Sequence, residues 1–154
     1  MWRTVGSVVV GYIVMALFIF LTFSIAYVAM GADRAYQPGT FVVTGLWIAV
    51  SFVLGLLGAM LGGWLCLLIA KSLRGPQALA AVVFVLGLVT AFMYLGGPDA
   101  DAPIVRDTAV GVFDAMQYSR TPNWVNFVNI IVGVVGVLLG ARLGSGKTEP
   151  QPEV

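Results

Sequence analysis

The sequence contains no histidine and only one cysteine. Without imidazole, no side chain titrates by default near neutral pH, and the commonest ligand of zinc and haem is missing. Cys66 stands alone inside an apolar run, where an internal disulfide is impossible and a small buried hydrophobe is the expected role. Charge is scarce too, at 10% of residues, far below the roughly 25% of a soluble domain. The basic residues are single and scattered, which argues against a nucleic-acid partner. Phosphate-loop motifs, paired cysteines and Ser-His-Asp sets are also missing, so neither catalysis nor a cofactor is expected.

Apolar length takes the place of charge. No Asp, Glu, Lys or Arg occurs between Arg3 and Asp33, Arg34 and Lys71, Arg74 and Asp99, or Arg120 and Arg142. A charge-free run of about 18 or more residues is long enough to cross a bilayer core of ~30 Å. The expectation is therefore an all-α polytopic membrane protein, a four-transmembrane-helix bundle forming one domain over 1–144. Its helices are placed at about 5–30, 40–70, 77–95 and 121–142, with a flexible tail over 145–154. Gly31 to Gly39 reads as a turn, and Thr121-Pro122 as a helix start with proline in the first turn. Met1-Trp-Arg3 followed by an apolar run resembles a secretory signal. The run of about 26 residues, however, is well beyond the 7 to 15 of a signal core, so it is kept as the first helix.

Basic residues set the expected orientation, because cytoplasmic flanks retain Lys and Arg. Under four passes, Arg3, Lys71, Arg74, Arg142 and Lys147 share one side. Arg34, Arg106 and Arg120 share the other with Asp33, Asp99, Asp101, Asp107 and Asp114. Both termini are thus expected inside, in a bacterial inner membrane, with Trp2 and Trp64 at the inner boundary. Trp124, Tyr94, Tyr27 and Tyr118 fall at the outer one.

The first two helices, at 1.5 Å per residue, would reach roughly 40 to 45 Å and protrude or tilt. In the second outer loop, Val105, Ala109, Val112, Phe113 and Met116 recur at helical spacing with Asp107 and Asp114 opposite. A short amphipathic helix is expected there, over about 103–118, lying on the outer surface or the protruding ends. The loop aspartates lack the spacing and glycine turn of a calcium loop and read as solvated, so no metal is expected.

Two patterns point to surfaces. Gly55, Gly58 and Gly62 in the second helix and Gly133, Gly136 and Gly140 in the fourth share one GxxGxxxG register, which extends to Ser51 opposite Asn129 and Cys66 opposite Gly144. Each set falls in a narrow arc, a stripe of small residues that permits close backbone approach. Asn123, Asn126 and Asn129 enter the fourth helix three residues apart, and amides in hydrocarbon need partners. Thr44, Ser51, Thr90 and Tyr94 are the candidate partners. The alternative is a polar site at Asn126 and Asn129 for a lipid headgroup, a quinone or another substrate.

The functional expectation is a non-catalytic membrane protein acting through helix contacts, as a homo-oligomer or an accessory or assembly subunit. Its partners are membrane lipid and other membrane chains or itself. The alternative is a carrier or channel for a neutral or lipidic small molecule, lined by the Asn126 and Asn129 face. No ionisable residue lies within the spans to run a proton relay.

Overall fold

The computed structural model describes residues 2–95, 105–106 and 110–145. These form α1 (Trp2–Met30), α2 (Ala32–Ala35), α3 (Gly45–Ala70), α4 (Arg74–Met93), α5 (Val112–Tyr118) and α6 (Asn123–Ser145). Among the described residues there is no strand, only three isolated β-bridges. The four long helices α1, α3, α4 and α6 are apolar and long enough to cross a membrane, which suggests an integral membrane protein.

The helices alternate in direction, so α3 and α6 run parallel, with the start of α1 and the end of α6 at one end of the bundle and α2 and α5 at the other. We call these the terminal end and the cap end. The α3–α6 pair is the most extensively packed; α1 lies on α3, and α4 lies on α6. Most side chains of α1 are exposed outward, as an apolar solvent permits, because lipid exacts no penalty for an exposed leucine.

Several boundaries differ from those expected. The first helix begins at Trp2, and the second begins at Gly45 rather than near residue 40. Thr44 causes the later start: its hydroxyl accepts the Trp47 N–H at 3.2 Å as an N-cap while donating to the Arg34 carbonyl at 2.6 Å. Residues Tyr36 to Val43 form a small hairpin that turns at Pro38-Gly39 (Gly39 φ 68°) and carry the bridges, pairing Tyr36 with Val43, Thr40 with Val105 and Val42 with Arg120. The α3–α4 turn closes with Lys71 in the left-handed region (φ 52°), its N–H bonded to the Leu67 carbonyl at 2.8 Å. Pro76 stands in the first turn of α4, where a missing N–H breaks no helical bond.

The loop helix is shorter than expected, spanning Val112–Tyr118, and residues 103, 104 and 107–109 of the expected range lie outside the described residues. Its buried residue is Ala115, whereas Phe113 and Met116 are exposed. Asp99, Asp101 and Asp107, and all of the expected tail except Ser145, also lie outside the described residues.

The core divides in two. Met15, Ala59, Cys66, Leu79, Ala80 and Val137 form one cluster through the body of the bundle. Tyr27, Ala35, Tyr36, Val43 and Ala115 form a second at the cap end.

Candidate functional site

The close approaches are made by glycines, each facing a particular neighbour. A Cβ on Gly140 would overlap the backbone of Met60, and one on Gly63 would overlap the backbone of Val137, so α3 and α6 touch main chain to main chain. Gly136 faces Ala59 and Leu56, again on α3. The α3 stripe does not return this contact. Gly62 meets the Gly11 carbonyl and Met15, Gly58 meets Ile19 and Phe18, and all four of these neighbours belong to α1. Gly133 faces Val83 of α4, and nothing lies within 4 Å of a Cβ at Gly55. The two matched stripes therefore address different helices. Gly63, one residue outside the register, supplies the α3 side of the α3–α6 contact.

At the terminal end Gly11, Gly62 and Gly75 also draw α1 and α4 inward around Ser7 and Cys66, whose thiol lies 3.5 Å from the Ser7 hydroxyl. Toward the cap end large side chains take over and the helices separate. Phe23 and Tyr27 of α1 meet Trp47 of α3 edge to face at 5.9 and 6.0 Å. The series continues through Tyr36 and Phe41 to Tyr118. Two hydroxyls fasten it to the second loop: Tyr27 donates to the Val110 carbonyl at 3.0 Å and Tyr36 to the Ala115 carbonyl at 2.8 Å. Burial pushes the Tyr36 phenol above its ordinary value, opposed by a hydrogen bond with Ser119.

Two cavities open beneath this roof. One, of about 240 Å³, is bounded by Phe23, Tyr27, Tyr36 and Trp47 above and by Ser51, Val125, Asn126 and Asn129 below. The other, of about 270 Å³, lies between α1, α4 and α6 and is bounded by Tyr12, Met15, Gly87 and Thr90 together with the same Asn126 and Asn129. The two amides thus stand in the wall between two spaces, in a fork where α1 and α4 part around α6.

Of the four residues expected to satisfy them, Thr44, Ser51 and Thr90 have hydroxyls engaged with main chain, and Tyr94 is exposed. Ser51 donates to the Ile48 carbonyl at 2.8 Å and Thr90 to that of Leu86 at 2.8 Å, while Thr44 caps α3. Among the described residues neither amide side chain hydrogen-bonds to protein; Asn126 is half-buried and Asn129 is exposed, and both are open to the cavities. Asn123, at the start of α6, is exposed. Among the described residues no charged side chain lines either cavity. The fork can donate to and accept from an uncharged polar group held among apolar walls. Among the described residues no group of His, Cys, Asp and Glu is arranged to hold a metal.

The aromatic roof was not singled out from the sequence. Its signal was the crowding of Tyr27, Tyr36, Phe41 and Trp47 around one turn, which reads equally well as an interfacial belt. No family model, curated protein or solved structure matches the chain.

Proposed function

We propose that this chain is a non-catalytic integral membrane protein that binds a neutral, mostly apolar small molecule at the amide fork, by itself or as a step in moving that molecule. The observation that carries the reading is that Asn126 and Asn129 face two cavities without a protein partner. An unsatisfied amide in an apolar medium costs several kcal/mol, so an occupant bearing a carbonyl or hydroxyl is strongly favoured there. The absence of charge in the lining selects against ions. The uneven division of Arg and Lys supports both termini being cytoplasmic, with the cap end facing out.

The test uses Trp47, which lines the first cavity. In a variant keeping only this tryptophan, with Trp2, Trp64 and Trp124 changed to Phe, a decyl-benzoquinone probe in detergent is expected to quench its emission saturably. Asn126→Leu with Asn129→Leu should weaken binding about tenfold or more, the loss of one or two hydrogen bonds of roughly 1 kcal/mol each. Equal affinity in the doubly substituted protein removes the reading.

A second reading is contact with another membrane chain, as a homo-oligomer or accessory subunit. Gly55 favours it, as the member of the α3 stripe with open space beside it. Gly55→Leu should then reduce association in detergent, and unchanged association removes Gly55 from any such surface.

A further inference from the structure

The cap end buries a positive charge that its one visible partner does not satisfy. The Arg106 side chain is 4% exposed, and its ion pair is a single contact from Nη2 to Asp33 Oδ1 at 2.6 Å, with the Asp33 side chain 87% exposed. Among the described residues, Nε and Nη1 of Arg106 are buried and have no hydrogen-bond partner. A guanidinium carries five N–H donors in a rigid fork matched to carboxylate and phosphate oxygens, and a buried charge needs those donors used. The side chain is held in place from its own backbone, because the Arg106 N–H donates to the Gly39 carbonyl at 3.0 Å. Two residues further on, the Arg120 N–H donates to the Phe41 carbonyl at 2.9 Å, and among the described residues the Nε of Arg120 is likewise buried and unpartnered.

We propose that Arg106 forms an oxyanion site at the cap end, taking a phosphate group from a lipid headgroup or from solution. The turn at Pro38-Gly39 and the stretch Thr40 to Val43 fix the main chain of both arginines, at the Gly39 and Phe41 carbonyls, before any ligand arrives. Asp33 holds one N–H and leaves the others for an acceptor with several oxygens. A phosphate provides these and a carboxylate provides fewer. The site shares no residue with the amide fork, so the two stand or fall separately.

The experiment uses the full chain in neutral detergent, with dioleoyl phosphatidylglycerol, dioleoylglycerol and inorganic phosphate as separate probes. Native mass spectrometry and thermal unfolding are the readouts. Phosphatidylglycerol retained one to one and raising the midpoint by several degrees, with dioleoylglycerol doing neither, supports a headgroup site. The same stabilisation by millimolar phosphate, with no retention of the lipid, supports the site and assigns it to a soluble oxyanion.

Arg106→Lys keeps a cation for Asp33 but loses the fork, and is expected to cut retention tenfold or more without unfolding the chain. Arg120→Gln, on the opposite face of the segment, should leave retention within about twofold. Indifference to every phosphate-bearing probe overturns the proposal, as does equal retention in Arg106→Lys. Retention that emerges only when Asp99, Asp101 and Asp107 are all changed to Asn also overturns it, since the chain's own carboxylates would then be the occupants.

Discussion

At the terminal end, Gly63 and Gly140 bring two main chains together with no side chain between them. At the cap end, Phe23 and Tyr27 of α1 meet Trp47 of α3 ring to ring, and Tyr36 joins them from the loop. The first end tolerates no added atom, because a backbone carbonyl cannot rotate out of the way. The second is assembled from rings that shift and from hydroxyls reaching across to another segment, and it leaves space. Cavities arise where one kind of construction gives way to the other, and Asn126 and Asn129 stand at that changeover.

The sharpest way to break this contrast is to load the tight end. Gly140→Leu, or Gly63→Leu, forces a side chain into the Met60 or Val137 backbone and should cost about 3 kcal/mol or more. Denaturation in mixed micelles would read it, and a wild-type curve would show that the backbones are not in contact.

Thr44→Ala removes the N-cap of α3 together with its bond to the Arg34 carbonyl, with an expected loss of about 1 to 2 kcal/mol. Hydrogen exchange should rise first around Gly45 to Ile48. Exchange spread evenly over all four long helices would contradict a locally held cap.

Tyr36→Phe gives up the bond to the Ala115 carbonyl, for about 1 kcal/mol. It also tests a pH dependence. Burial raises the folded-state phenol above its unfolded value of about 10, so the neutral ring's contribution is complete below that pH and declines as pH climbs through it. Alkaline unfolding followed from about pH 8 to 11 should show a smaller loss in Tyr36→Phe than in the parent chain.

The smallest effect belongs to Gly55→Ala. Its Cβ meets nothing within 4 Å, and the change should stay within about 0.5 kcal/mol, tending to stabilise through helix propensity. Set beside Gly140→Leu, it separates glycines that carry a contact from glycines that only share a spacing.

That distinction marks how far the sequence could be read. The spans were legible because an uninterrupted apolar run has one use, and the breaks at Gly31, Lys71 and Thr121 follow from local chemistry. Boundaries slipped where a side chain acts over distance: Thr44 begins α3 late because of a carbonyl ten residues earlier. The glycine register showed which positions are small but not which way they face. A stripe's direction depends on helix rotation, which the neighbours set, so Gly58 and Gly62 address α1 while Gly63 addresses α6. The amide pair was visible as an anomaly. Its orphaned state was not, since Ser51 and Thr90 looked like partners until their hydroxyls were placed on their own helices. Arg106 read as an ordinary loop cation because burial by a distant segment leaves no local trace.

The glycine contacts between α3 and α6 have a thermal consequence. In lipid, separating the two helices exposes methyl and methylene groups to hydrocarbon and not to water, so the usual source of a large heat-capacity increment is missing. The strength of this junction should therefore vary almost linearly between cold and warm membranes, without the domed curve of a water-driven core, and chilling alone should not loosen it.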